Sequence, residues 1–135
     1  MMKEKYYKQV EKMFYNYLDI DNKIENILAK TINLDVNSWI KTNYKKSFEE
    51  IEIVNKIDNV EIQKLLKEKY VVEKTLEKYN NDYRQEIIKR RYFKKEKNYI
   101  IADSLSLWKM QYNSIVREII NYAVIIATKI NLIEI

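Results

Sequence analysis

The sequence predicts an all-α protein, and composition and apolar spacing are the main reasons. The chain has 135 residues, 47% of them apolar and 33% charged, and it contains no Gly and no Pro. Tight hairpin turns and irregular loops depend on these two residues, so a β-rich or doubly wound α/β fold is disfavoured and capped helices are favoured. The length and the apolar fraction indicate a globular protein with its own core.

Missing residue types also exclude several kinds of chemistry. Without Gly the chain cannot form a Walker loop, a dinucleotide fingerprint or a nucleophile elbow. It also has no His and no Cys, which removes zinc sites, imidazole bases and thiolate nucleophiles. We therefore expect no enzymatic activity, no cofactor and no metal. No apolar run approaches the roughly 18 residues of a membrane span, so we expect no membrane partner and an intracellular location.

The first predicted element is one long helix over residues 3–31. Apolar residues recur there at alternating steps of four and three, which is a heptad seam. The seam consists of Tyr6, Val10, Met13, Tyr17, Ile20, Ile24 and Ile27. At 1.5 Å per residue the helix would be about 43 Å long. We expect the seam to serve packing and self-association, which makes the protein a homo-oligomer.

A second long helix follows a predicted loop at residues 32–46. The stretch 47–50 reads Ser-Phe-Glu-Glu and matches a capping box, which opens a helix that reaches Tyr79 with a kink near Asp58. The two long segments predict a helical hairpin. We accordingly expect one domain over residues 1–79 for packing and oligomerisation, and a second over residues 80–135.

The second domain contains three shorter predicted elements. Asn80, Asn81 and Asp82 form a stop and a cap, and a helix runs from there to about Phe93 with its arginines outward. A basic loop follows at 94–97, and Asn98 is the expected N-cap of a short helix. The last helix is predicted to begin near Trp108 and to continue to about Asn131.

Basic charge is concentrated in this second domain. Residues 81–135 hold ten Lys and Arg against six Asp and Glu, and much of the excess lies between residues 89 and 97. Clustered cations favour association with a polyanion such as the phosphate backbone of DNA. Lys94, Lys95 and Lys97 are therefore candidate phosphate contacts.

The spacing of apolar residues after the basic loop fits a helix-turn-helix. Such a unit needs a small residue where the two helices cross, here Ala102, and buried residues at set offsets from it. Those offsets are filled by Ile101, Leu105, Leu107, Tyr112 and Ile115. The same register turns a second group outward, toward a major groove: Trp108, Lys109, Met110, Asn113, Ser114 and Arg117. Among these, we expect Lys109, Asn113, Ser114 and Arg117 to contact DNA.

Residues 80–131 resemble a known family. A Tyr92-Phe93 pair ends a helix and is followed by a short loop, the helix-turn-helix register and an apolar last helix. In this order the segment is similar to the phage late transcriptional regulators of the ArpU/RinA type, whose C-terminal part is similar to region four of a sigma factor. The resemblance implies sequence-specific binding to double-stranded DNA, regulation of phage late genes and action in the cytoplasm of the host cell.

Two other functions stay open at this point. A phage DNA-packaging subunit of the small-terminase type also joins a helix-turn-helix to helical oligomerisation segments. A helical interaction or inhibitor protein would keep only a remnant of the unit, with Trp108 and Met110 facing a protein. Host RNA polymerase, or another protein, is a further candidate partner.

Overall fold

The computed structural model describes residues 4–31 and 60–133, and these residues are helical apart from short turns and loops. No strand occurs within these two ranges. The prediction of an all-α protein is confirmed. Among the helices described, none is both long enough and apolar enough to cross a membrane.

The N-terminal segment is helical but interrupted. Helix α1 spans Glu4–Asn16, a single 3-10 turn covers Tyr17–Asp19, and α2 spans Ile20–Thr31. The prediction of one continuous helix is therefore wrong at this point. Asn16 precedes the turn and Asp19 is its last residue, and such short polar side chains compete with the helix for backbone hydrogen bonds. The apolar spacing continues through the turn and does not reveal it.

The heptad seam is covered by the chain itself. Val10, Met13, Ile20 and Ile24 are each at most 4% exposed. The other three seam residues are half-buried: Tyr6, Tyr17 and Ile27. A side chain that already lies inside the protein does not present a surface to a second copy, so these four buried residues are corrected to intramolecular packing. Self-association of the protein stays a prediction.

The second long helix is described only in part. Helix α3 spans Val60–Lys78. The predicted loop at 32–46, the capping box that begins at Ser47 and the kink near Asp58 all lie outside the described residues. The connection of the hairpin lies there too, so the hairpin stays a prediction.

The region after α3 follows the predicted order. The Asp82 carboxylate caps α4 (Tyr83–Ile88) by accepting a hydrogen bond of 2.9 Å from the backbone N–H of Arg84. A π-helical turn, Lys89–Phe93, continues α4 directly. The last two helices complete the region: α5 (Asn98–Ser104) and α6 (Lys109–Lys129).

The N-cap of α5 differs from the prediction. Lys97 occupies the cap position with extended backbone and no capping side chain, and Asn98 is the first helical residue. The Asn98 side chain is engaged elsewhere, since its Oδ1 accepts a hydrogen bond from the Tyr112 hydroxyl at 2.8 Å. A tertiary partner has thus replaced the local capping bond.

The chain divides into two compact units, Met1–Leu18 with Lys67–Ile135, and Asp19–Leu66. In the first unit α1 packs against α6 and against the π-helical turn. Side chains such as Phe14, Tyr92 and Ile120 share one core there. This division differs from the predicted boundary between residues 79 and 80, because α6 is too apolar to be covered by its sequence neighbours alone and is covered by α1.

Candidate nucleic-acid interface

The π-helical turn places two consecutive arginines against carboxylates instead of solvent. Arg90 binds Glu96 with a fork of hydrogen bonds, Nε to Oε2 at 3.1 Å and Nη2 to Oε1 at 2.9 Å, and it also donates to the Ser104 hydroxyl. These hydrogen bonds hold the pKa of the Glu96 carboxyl below its usual value. The expectation that the arginines point outward is therefore wrong, because each side chain is only 16% exposed.

Arg91 ties the π-helical turn to α1. Its Nη2 donates to Oε2 of Glu11 at 3.2 Å, and the same oxygen accepts a bond of 2.6 Å from the Tyr92 hydroxyl. The Arg91 guanidinium lies 5.2 Å from the centre of the Tyr92 ring and also donates to Oδ1 of Asn98. Burial, with the Glu11 charge adding to it, raises the pKa of the Tyr92 phenol well above 10.0. A largely buried polar cluster therefore joins α1, the π-helical turn and the helices that follow it.

The three lysines of the adjoining loop have a different environment. Lys94, Lys95 and Lys97 are exposed, and none of them forms an ion pair with a described residue. Lys95 has a φ of 55°, in the left-handed region. The loop is nevertheless anchored at its middle, since the Glu96 N–H donates to the Arg90 carbonyl at 2.9 Å. The lysine ammonium groups remain available to a solvent-borne anion.

The turn between α5 and α6 is short and tightly bonded. The Leu107 N–H donates to the Ala102 carbonyl at 2.9 Å, and Ser106 has a φ of 57°. Helix α6 begins after Trp108, whose backbone N–H donates to Oε1 of Gln111 at 2.9 Å. An indole offers no acceptor for capping, so the Gln111 side chain supplies the local bond at this helix start.

The residues of the helix-turn-helix register are buried to different degrees. Ile101, Ala102 and Tyr112 are at most 6% exposed, whereas three others are half-buried: Leu105, Leu107 and Ile115. The outward group is exposed in its entirety: Trp108, Lys109, Met110, Asn113, Ser114 and Arg117. Arg117 is held in place from one side, because its guanidinium lies 4.8 Å from the centre of the Tyr7 ring on α1.

A groove of about 740 Å³ brings several of the predicted DNA contacts together. It lies within the first unit, between the end of α1, the basic loop and the two last helices. Four predicted contacts line it: Lys95, Lys97, Lys109 and Asn113. The remaining three are not among its lining residues: Lys94, Ser114 and Arg117. The predicted DNA contacts thus form two groups, four residues that line one groove and three exposed residues that do not.

Several residues of this site escaped the sequence reasoning. Glu11 is 80 positions from Arg91, and no local pattern links them. Tyr15 and Tyr99 line the groove, and neither belongs to the heptad seam or to the helix-turn-helix register. A signal did exist for the arginines, because Arg90 and Arg91 stand between buried Ile88 and Tyr92, and a charge flanked by core residues needs a partner.

No family model, no curated protein and no solved structure matches the chain.

Proposed function

We propose that the chain binds double-stranded DNA and acts as a sequence-specific regulator of phage late genes. The observation that supports this best is the placement of Lys95, Lys97 and Lys109 around one groove without carboxylate partners among the described residues. The link to phage late genes depends on the resemblance of residues 80–131 alone.

The arrangement separates the cations that hold the fold together from those that a polyanion can use. Glu96 neutralises Arg90 and Glu11 neutralises Arg91. The lysines of the loop keep their full charge in water, where contact with DNA phosphates releases condensed counterions and supplies sequence-independent affinity. The loop therefore provides backbone contacts that position the protein.

Base recognition would come from the exposed first half of α6. Asn113 is exposed and lies on the groove wall, and an asparagine amide can pair with the N6 and N7 atoms of adenine. Arg117 is less free, because contact with guanine would require it to leave the Tyr7 ring. We therefore assign base reading to Asn113, and phosphate contact to Lys109 and Ser114.

The test is the salt dependence of duplex binding. Replacement of Lys94, Lys95 and Lys97 with Ala should flatten the slope of log affinity against log salt by about 0.9 per lost phosphate contact, thus by up to about 2.7. Fluorescence anisotropy against duplexes from the encoding genome measures the slope. The loss should be similar for all duplexes, because phosphates carry no sequence information directly.

A matched control removes the same charge elsewhere. Lys23, Lys64 and Lys67 are all exposed and do not line the groove, so their replacement with Ala should leave the slope almost unchanged. Equal slopes for the two triple variants would show that only net charge matters and would exclude the loop from the interface. No measurable duplex binding at low salt would end the DNA proposal.

A second candidate function is binding to a protein through the start of α6. Trp108 is 79% exposed and Met110 is 83% exposed, and with Lys109 and Gln111 they line a shallow recess of about 440 Å³. Large exposed apolar side chains side by side are typical of protein contacts. Retention of duplex specificity in Asn113→Ala, with loss of a purified partner such as host RNA polymerase in Trp108→Ala, would favour this function over base reading.

A further inference from the structure

The groove beside the basic loop is concave and can hold a ligand smaller than a duplex. Duplex DNA is read by elements that protrude into its grooves. A recess of about 740 Å³ instead falls in the range of roughly 300–1,000 Å³ that encloses a small organic ligand. The lysines that line the groove can contact a duplex, and the recess between them also has room for a small ligand.

The charge of the walls favours an anion. Lys95, Lys97 and Lys109 line the groove, and two acidic side chains, Glu96 and Asp103, do so as well. Glu96 is already engaged by the Arg90 fork, which leaves Asp103 as the one carboxylate of the lining without an ion pair among the described residues. Three unpaired cations against one carboxylate give the recess a positive field.

Asn98 contributes an oriented hydrogen-bond donor. Its Oδ1 accepts hydrogen bonds from the Tyr112 hydroxyl at 2.8 Å and from Arg91 Nη1 at 2.5 Å. Both partners present N–H or O–H groups, so the atom that faces them is the oxygen and the amide NH₂ is turned away from them. No described protein group accepts from this NH₂, and Asn98 lines the groove. The wall thus presents a donor pair to a ligand with acceptor oxygens.

Two aromatic rings complete the lining. Tyr99, which directly follows Asn98, is 63% exposed. Tyr15 is 39% exposed, and the centre of its ring lies 4.8 Å from that of Tyr92 in an edge-on arrangement. A tyrosine ring left in water at a cationic groove offers a stacking surface for a planar ligand.

We propose that this groove binds a nucleotide unit, with its base on Tyr99, a base carbonyl on the Asn98 amide and its phosphate among Lys95, Lys97 and Lys109. The unit can be a free mononucleotide or an unpaired nucleotide of a single strand, because both carry the same chemistry. This goes beyond duplex binding, since Tyr99 and Asn98 have no part in the proposed function and only the lysines are shared.

The experiment uses the whole 135-residue chain and three probes: thymidine monophosphate, a labelled oligothymidylate of about ten nucleotides, and a duplex. Tyr99→Ala removes the stacking ring and should weaken binding of the nucleotide probes roughly 5- to 150-fold. Asn98→Asp keeps an acceptor for Tyr112 and Arg91 but replaces the donor with a negative charge, so it should weaken both nucleotide probes too. Duplex binding by Tyr99→Ala should equal that of the wild type.

Tyr83→Ala is the matched control, because Tyr83 is 43% exposed and does not line the groove. This variant should bind all three probes like the wild type.

Binding of both nucleotide probes that is weakened by Tyr99→Ala supports a free nucleotide as the ligand. Binding of the oligonucleotide alone supports an unpaired nucleotide in a strand. If neither probe binds, or if Tyr99→Ala and a thermally stable Asn98→Asp both keep wild-type affinity, the inference is wrong. If the wild type binds the nucleotide probes but not the duplex, the proposed function is overturned and this inference stands.

Discussion

Two halves of the basic run between residues 89 and 97 differ in what their charges do. Arg90 and Arg91 are each 16% exposed and bound to Glu96 and Glu11, whereas the lysines of the following loop are exposed and form no ion pair with a described residue. In the sequence the two halves look like one positive cluster. A run of charges in a sequence therefore describes composition only, and backbone geometry assigns each charge to the core or to the surface.

The physical reason lies in the two backbones and the two kinds of cation. The π-helical turn carries its arginines beside buried Tyr92, and a planar guanidinium can satisfy several acceptors at once when it loses water. The lysines of the loop are exposed, and a lysine ammonium is strongly hydrated. The arginines of the turn therefore exchange water for protein acceptors, whereas the lysines of the loop keep their water.

The largest effect is expected from the loss of Glu11, which removes the carboxylate partner of Arg91 in the arginine half. Glu11→Ala leaves the Arg91 guanidinium without its carboxylate and the Tyr92 hydroxyl without its acceptor, so the free energy of unfolding should fall by about 3 kcal/mol. Urea denaturation measures it. The control is Glu77→Ala, whose ion pair with Lys74 is on the surface at 3.7 Å and should be worth less than about 0.5 kcal/mol. Similar losses in the two variants would contradict the buried role of Glu11.

Alkaline pH should weaken the same cluster. Burial raises the pKa of Tyr92 well above 10.0, so the folded state favours the neutral phenol. The stabilisation is fully present below pH 10.0 and is lost as pH rises through the folded pKa, by about 1.4 kcal/mol per pH unit while only the unfolded state ionises.

Denaturation at neutral pH and above pH 10.0 measures this dependence. Tyr92→Phe should make it shallower, whereas Tyr70→Phe, at a 44% exposed position, should not. An identical alkaline loss in wild type and Tyr92→Phe would show that Tyr92 is not its source.

The smallest effect concerns the loop of the lysine half, where the backbone of Lys95 is under local strain. Lys95 has a φ of 55°, a region that costs a residue with a Cβ about 1–2 kcal/mol. Lys95→Gly should therefore raise the free energy of unfolding by about 0.5–1 kcal/mol after the entropy cost of Gly.

Lys94→Gly loses the same charge at a φ of −89° and should lower stability by a few tenths of a kcal/mol, up to about 1. Thermal unfolding compares the two variants. A gain in both would point to relief of charge repulsion instead of backbone strain.

Local sequence features specify the helical character and much of the order of the elements. The absence of Gly and Pro and the apolar periodicity predicted an all-α fold, and the structure has Asp82 as a cap, a loop at 94–97 and a last helix that begins after Trp108. These features depend on residues within a few positions of one another. Short-range hydrogen bonding and side-chain spacing are enough to specify them.

Which surfaces are buried and which charges are free depends instead on tertiary packing. The heptad seam became core, the cap expected of Asn98 gave way to Lys97, and Arg91 found its carboxylate on Glu11. Each outcome depends on a contact between α1 and the last third of the chain or between separate helices, whose apolar faces are compatible with several partners. Periodicity shows that a face must be covered, but only the packing of the whole chain determines which residues cover it.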